Sequence, residues 1–338
     1  MTDYDLINMI CKNIGDTKKT VVSFTTTSRK SPPIKMLPER QAFGFRIINV
    51  LITENELAKY CFNKIDGLVD VVMIDVERKQ KIDLWDIALK CIKKSKLVPI
   101  KPNDATVEAA LFLLKHLWNN CLAKKVIAIY GAGNIGAKLA LRLAEMNNKI
   151  YLYSRNKEKT KQIAAAFNSV LPRFSSGIIT PVDNIVDAEQ VDALISFVSA
   201  TGVITEDLLS ILPKGAAVID GGIDNFSEGF ICSALEKKIH IYRLDVRPGF
   251  FYTALDLLPD VGQFFKEVQG EKIIDRVRVV AGGVVGQRGD IVLDNIKTPT
   301  MVLGVANGIG GLLNETPVEF RDRVSKIKKA IEGSSKEM

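Results

Sequence analysis

The segment that most constrains this chain is Val126-Ile127-Ala128-Ile129-Tyr130-Gly131-Ala132-Gly133-Asn134-Ile135-Gly136. An uninterrupted apolar run of strand length enters Gly-x-Gly-x-x-Gly. A helical stripe follows at Ile135, Leu139 and Leu143, and then a second strand-like run from Ile150 to Tyr153. Strand, glycine turn, helix and strand at this spacing form a βαβ unit, which commits the chain to a parallel sheet with helical crossovers. Each glycine has its own task. Gly131 permits the tight turn, Gly133 lets backbone approach a pyrophosphate, and Gly136 lets the helix lie close to the strand. The helix start then offers unpaired N–H groups and a partial positive charge. Gly131, Gly133, Asn134, Ile135 and Gly136 are therefore expected to line a dinucleotide.

The end of the second strand bears on which dinucleotide. Folds that take NAD place an Asp or Glu about 20 residues past the glycines, on the ribose 2′-hydroxyl. Here the chain reads Tyr151-Leu152-Tyr153-Ser154-Arg155-Asn156-Lys157, without an acid. Arg155 can pair with a 2′-phosphate, Ser154 can donate a hydrogen bond, and Lys157 adds charge. NADP is the expected cofactor.

The 338 residues suggest two domains. A hydrophobic content of 47% with 25% charged residues is that of a water-soluble globular chain, and no apolar run reaches the roughly 18 to 20 residues of a membrane span. The acidic start, Met1-Thr2-Asp3-Tyr4-Asp5, has no signal-peptide core, so a cytoplasmic location is expected. Five scattered cysteines without a Cys-x-x-Cys pair fit reduced thiols and give no metal cage. With only two histidines, His116 and His240, neither a histidine metal site nor a Ser/His/Asp triad is expected. The net charge of +7 is not organised with aromatic residues as a nucleic-acid platform would be. It suits an anionic cofactor and a small anionic or polar substrate. Neither nucleic acid nor membrane is an expected partner, and a homodimer is.

The fold class read from the chain is α/β, in two domains. An N-terminal α/β substrate domain with a mostly parallel sheet is expected over residues 1–120, and a Rossmann domain over 121–300. Helices over 301–338 are expected to pack back on the N-terminal domain. Strands are predicted at Val21–Thr26, Arg46–Thr53, Val69–Val76 and Leu97–Ile100, with helices at Glu54–Ile65, Leu84–Lys94 and Ala105–Asn119. Further strands are predicted at Ala193–Val198, Ala216–Asp220, Ile239–Leu244 and Val277–Val280. A helix is predicted from Thr298 through Leu313, and another over Pro317–Ile331 with Phe320, Val324, Ile327 and Ile331 on one face.

In open α/β sheets, ligands bind beyond the carboxyl ends of the strands. Three such ends stand out in the second domain: Ser199-Ala200-Thr201-Gly202, Asp220-Gly221-Gly222-Ile223-Asp224 and Asp245-Val246-Arg247-Pro248-Gly249. Ser199, Thr201, Asp220 and Gly221 are expected to touch the cofactor. In the first domain, Ser28-Arg29-Lys30-Ser31 offers hydroxyls and cations to an anionic substrate. Tyr60 and Lys64 stack at i, i+4 on one helix face, and a lysine in a cleft can do acid–base work. Asp104 sits at a helix start, either as an N-cap or as a holder of substrate. Lys64, Tyr60 and Asp104 are the catalytic candidates.

These features resemble the superfamily that holds shikimate dehydrogenase and the methylenetetrahydrofolate and methylenetetrahydromethanopterin dehydrogenases. Val218-Ile219-Asp220-Gly221-Gly222-Ile223 is similar to the Val-Ile-Asp-x-Gly-Ile segment of the folate enzymes, and Tyr60-x-x-x-Lys64 to their Tyr/Lys pair. Gly282-Gly283-Val284 resembles their Pro-Gly-Gly-Val loop, with Ala281 in place of the proline. Asn103-Asp104 stands where shikimate dehydrogenases carry Asn-Thr-Asp, and Ser154-Arg155 matches their NADP-binding Asn-Arg-Thr region in role. Asn49-Val50-Leu51-Ile52-Thr53 resembles only the start of the shikimate Asn-Val-Thr-x-Pro-x-Lys motif, and its lysine is missing. The resemblance implies an N-terminal substrate domain, an NADP-binding Rossmann domain, a helix returning to the first domain, and hydride transfer in the cleft between the domains. It implies a one-carbon tetrahydropterin as substrate. The alternatives are a shikimate-like hydroxy acid, a keto, amino or imino acid, or an NADP-binding regulatory protein without catalysis.

Overall fold

The computed structural model describes residues 2–15 and 18–334. The chain divides into two units, which meet between Leu255 and Asp256. The first unit opens with α1 (Asp3–Lys12), β1 (Thr20–Thr25), β2 (Ile34–Ala42), β3 (Phe45–Ile52), α2 (Asn55–Ile65), β4 (Val71–Asp75), α3 (Leu84–Cys91), β5 (Lys96–Ile100) and α4 (Pro102–Leu117). The strands form a sheet in the order β2-β3-β1-β4-β5, parallel except for β2. β1 and β3 are buried along most of their length, as expected of a parallel sheet covered on both faces. α1, α2 and α3 bury Ile7, Ile10, Phe62, Ile65 and Ile87 in one core with Val22, Phe24 and Ile48.

Sequence patterning missed β2. Pro38, Lys35, Glu39 and Arg40 break its alternation. These are edge-strand features, and β2 is the edge. Between Leu37 and Arg40 its register against β3 slips by one residue, a β-bulge. The expected helix from Ala105 to Asn119 begins earlier, at Pro102, because proline fits the first turn. Its apolar side does not close the first domain. Val107, Leu111 and Leu114 lie in one core with Ile127, Leu139 and Leu143, so the boundary expected at residue 120 cuts through a packed interface.

The fingerprint segment folds as expected, into β6 (Val126–Tyr130), α5 (Asn134–Glu145) and β7 (Lys149–Tyr153). α6 (Lys157–Val170), β8 (Ile178–Pro181), β9 (Ala193–Ser196), β10 (Ala217–Asp220), α7 (Glu228–Glu236), β11 (His240–Arg243) and α8 (Arg247–Thr253) complete the unit. The sheet is parallel, in the order β11-β10-β9-β6-β7-β8. This is the doubly wound Rossmann order, and it reverses between β6 and β9. α8 lies against α4 so closely that a Cβ on Gly249 would come within 1.8 Å of the Ala105 carbonyl oxygen.

The second unit comprises α9 (Pro259–Glu267), β12 (Gly270–Ile274), β13 (Val277–Ala281), β14 (Ile291–Leu293), β15 (Val302–Val305) and α10 (Val318–Ser334). Its sheet, β12-β13-β14-β15, has two antiparallel pairings and one parallel one. Three expectations change here. The Rossmann sheet ends at Arg243, far short of residue 300. The helix expected from Thr298 to Leu313 does not form; β15 and a glycine turn occupy that stretch. Asp294 accepts from the Thr300 and Met301 N–H groups and from the Thr300 hydroxyl, and Gly308 and Gly310 take positive φ angles, so turn chemistry overrides the apolar spacing. The stripe of α10 is where it was read, but Phe320, Ile327 and Ile331 pack with Val279, Ile291 and Val305 of this unit's own sheet. Gly282 and Gly283 turn the chain after β13 with φ of 63° and 87°.

Candidate functional site

At the end of β6, Gly131 has φ 124°, and a Cβ there would meet the Phe197 carbonyl oxygen at 2.7 Å. At Gly136 a Cβ would lie 1.9 Å from the Gly131 carbonyl oxygen, so the first turn of α5 lies against the glycine turn. Gly133 is different. It caps α5 with extended backbone, and a Cβ there would meet nothing within 4 Å. That open space faces a helix start without a side-chain cap and without an acidic residue in its first turn. The helix charge is therefore not neutralised locally, and the cradle fits a pyrophosphate. Asn134 is the first residue of α5, and half-buried Ile135 packs on the core.

Beyond β7, Arg155 and Lys157 are exposed, and Arg155 has no ion-pair partner among the described residues. The Ser154 hydroxyl is engaged with Thr160 at 2.6 Å, so it shapes the turn and is not a free donor. Asn156, which was not singled out, caps α6 by accepting from the Lys159 N–H at 3.0 Å. Beneath this rim the rings of Tyr130 and Tyr153 lie 4.6 Å apart. Burial first, then the neighbouring Tyr153, push the Tyr130 phenol up to about 12, so it stays neutral.

Across the switch point, Ser199 and Thr201 are exposed on the loop after β9. Asp220 is buried and committed. Its Oδ1 accepts from the N–H groups of Gly222 and Ile223, and its Oδ2 from that of Asn225. It organises the loop. Gly221 is required because a Cβ would meet the Phe197 ring at 2.2 Å. Ile223 and Asp224 take φ of 67° and 61°. The residue that locks this bend is Asn225, 0% exposed. Its Nδ2 donates to the carbonyls of Val198 and Ala200, and its Oδ1 accepts from Ser196 Oγ at 2.7 Å. Nothing in sequence spacing marks an asparagine that joins two loops. Asn225→Leu is expected to destabilise the protein by about 2 to 4 kcal/mol, since it leaves buried polar groups unpaired. Thermal and urea unfolding of the full chain would read this, and an unchanged midpoint would refute it.

The first sheet supplies the facing wall. Asp75, 2% exposed, ends β4. Its Oδ2 accepts from Thr25 Oγ1 at 3.0 Å, from the Thr26 N–H at 3.1 Å and from Lys79 Nζ at 2.8 Å. Lys79 Nζ also lies 3.1 Å from Glu77 Oε2. That same Oε2 accepts from the Asn103 N–H at 2.9 Å, and Asn103 Nδ2 donates to Asn134 Oδ1 at 3.2 Å. A chain of polar contacts thus runs from Lys79 through Glu77 and Asn103 to the first residue of the fingerprint helix. Arg29 donates to the Gly222 carbonyl and closes a second bridge between the two sheets. Asp104 sits in the first turn of α4, but Lys101 is the cap residue. The Asp104 carboxylate pairs with Lys138 of α5 at 2.5 Å, which binds the two helices together.

Tyr60 and Lys64 do not belong to this site. α2 leaves the carboxyl end of β3 and runs back along the sheet. The next residue but one after Lys64, Asp66, accepts from the Lys94 and Ser95 N–H groups, just ahead of β5. Lys64 therefore lies at the amino ends of the strands, opposite the cleft. Its Nζ sits 5.6 Å from the Tyr60 ring, and Tyr60 packs edge-on against Tyr4 of α1. The i, i+4 spacing was real, but it says nothing about which end of a helix faces a site.

Residues 126–241 match the family model of the NAD binding domain of 6-phosphogluconate dehydrogenase. The chain therefore carries the nucleotide-binding domain of NAD(P)-dependent dehydrogenases. No curated protein matches it. Among solved structures it is similar to L-tryptophan dehydrogenase from Nostoc punctiforme, with 14% identity, a TM-score of 0.41, and 65% of this chain covering 66% of that one, just under two thirds. It is similar to a shikimate dehydrogenase in complex with NADP+, with 14% identity and a TM-score of 0.44 over 68% and 85% of the two chains. It is equally similar to an anabolic ornithine carbamoyltransferase from Campylobacter jejuni, with 16% identity and a TM-score of 0.44 over 77% and 95%. These are likenesses of fold, and one fold carries many chemistries.

Proposed function

We propose that the protein is an NADP-dependent oxidoreductase acting on a small polar substrate in the cleft between its two parallel sheets. The observation that carries this reading is the polar chain Lys79–Glu77–Asn103–Asn134, which links a largely buried lysine through three contacts to the first residue of the fingerprint helix. Bound NADPH supplies the hydride. The residues of this chain bind, orient and handle the proton. The amino end of α5 takes the pyrophosphate at Gly133, and Arg155 reads the 2′-phosphate. Lys79 Nζ donates to Asp75 Oδ2 and forms an ion pair with Glu77, which together hold the ammonium in place and leave N–H donors for a substrate oxygen or nitrogen. The catalytic pair behind the one-carbon tetrahydropterin reading, Tyr60 and Lys64, lies on a helix that runs toward the amino ends of the strands. A hydroxy, keto or imino acid is the substrate class we carry forward.

Fluorescence titration with NADPH and NADH, followed by turnover with a panel of 2-oxo, 2-imino and hydroxy acids, tests the proposal. Failure to bind either dinucleotide would sink it. Tight NADPH binding without turnover across the panel would favour a regulatory NADP-binding protein. Arg155→Ala is expected to weaken NADPH by about 10- to 100-fold and to leave NADH nearly unchanged, because it deletes a charge-assisted contact made only to the 2′-phosphate. Equal losses for the two cofactors would remove Arg155 from that role.

A further inference from the structure

The carboxyl end of the first sheet holds a recess of 240 Å³ between β1, β2, β3, α4 and α8, room for about eight waters at their liquid volume. Its floor is built by register. Ser23 and Asn49 stand opposite one another in the β1–β3 pairing, and Leu37 is opposite Asn49 in β2. Strict alternation from Leu37 would bring Glu39 to this face. The bulge inserts a residue and brings Arg40 there instead. Asn49 Nδ2 holds the bulge by donating to the Pro38 carbonyl at 2.9 Å.

Two groups in the recess lack partners. Thr26, 6% exposed, has its Oγ1 buried without a hydrogen-bond partner among the described residues. Arg40 is the only charged side chain lining the recess, and its guanidinium makes no hydrogen bond among the described residues; it stacks on Phe250 at 4.6 Å. The nearby acid, Asp245, is engaged by Arg247 Nε at 2.8 Å. Burial lowers the Arg40 pKa from its ordinary value, Asp245 raises it and Arg247 lowers it further. A half-buried cation without a bonded counterion, in one recess with an unpaired hydroxyl, is costly unless an anion completes the pair. Leu37, Leu51 and Phe250 offer apolar wall for the body of such an anion.

We infer that this recess takes the carboxylate of a small acid, with Arg40 as its anchor and Thr26 Oγ1 as a second donor. The inference rests on the cleft being the substrate site. Thr25 and Thr26 line the recess and also bond to Asp75, the partner of Lys79, so the recess and the lysine share one carboxylate.

The test uses benzoate, with neutral benzamide as its isostere, titrated into the full chain without cofactor and followed by ligand-observed NMR. Benzoate is expected to bind in the millimolar range and benzamide far more weakly. Arg40→Met, checked for folding by circular dichroism, should weaken benzoate by about 10- to 100-fold. Thr26→Val should weaken it several-fold while leaving the melting temperature unchanged or raised, because the lost hydroxyl had no partner. Absence of benzoate binding, equal binding of benzamide, or native benzoate affinity in either variant overturns the inference. NADPH titration of the same samples separates the two ideas. The benzoate pattern without binding of NADPH or NADH upholds the anion recess and refutes the oxidoreductase; NADPH binding with turnover but without the benzoate pattern refutes the recess and upholds the oxidoreductase.

Discussion

Gly133→Val is expected to fold like the parent chain and to bind neither NADP nor NAD. Gly133 has φ −79° and ψ −170°, a conformation that a β-branched residue adopts freely. Its Cβ would meet no protein atom within 4 Å, so the fold has no steric reason to object. The cost is the poorer capping of α5, about 1 kcal/mol. The side chain would occupy the space in front of the helix start that a pyrophosphate needs. Gly136→Ala provides the contrast, because its Cβ would lie 1.9 Å from the Gly131 carbonyl oxygen. That variant should lose stability and binding together. Melting curves and NADPH titration of both proteins distinguish the outcomes. A folded Gly133→Val protein with native affinity would place the dinucleotide elsewhere.

Lys79→Met is expected to lower turnover by about 100-fold or more, the scale of a lost general acid or base, with NADPH affinity near that of the parent. In reduction of a keto acid, hydride goes to the carbonyl carbon and the new hydroxyl needs a proton at the oxygen, which the ammonium can donate. Removing it also leaves two largely buried carboxylates, Asp75 and Glu77, without their cation, at a cost of about 3 kcal/mol. The assay is therefore run below the melting range of the variant, per mole of folded protein. Lys64→Met, at the opposite edge of the sheet, should leave both turnover and cofactor binding untouched. If Lys79→Met turned over at the parental rate, its ion cluster would be purely structural.

The parts legible in the sequence are those where local pattern and final environment agree. β6, its glycines and the stripe of α5 were readable because a parallel strand buried on both faces is apolar throughout and because the turn needs glycine at fixed places. β2 was not, since an edge strand with Pro38 and three charges has no period to find. The site divides in the same way. The nucleotide half is a contiguous motif. The other half is assembled from Thr25, Asp75, Lys79 and Asn103, which the carboxyl ends of β1, β4 and β5 bring together. The loop-organising role of Asp220 was equally illegible, because an acid at a strand end does not show that three backbone N–H groups hold it.

The proline in β2 also bears on how copies of the chain can associate. Three of the four outermost strands in the first unit contain one: Pro38 in β2, Pro99 in β5 and Pro181 in β8. Each lacks an N–H, and β2 adds a register slip, so no continuous ladder is on offer for a neighbouring molecule to extend. The same residues that spoil strand-like periodicity in the sequence make these three margins poor templates for edge-to-edge growth. Any ordered self-association through these three margins has to proceed by side-chain surfaces.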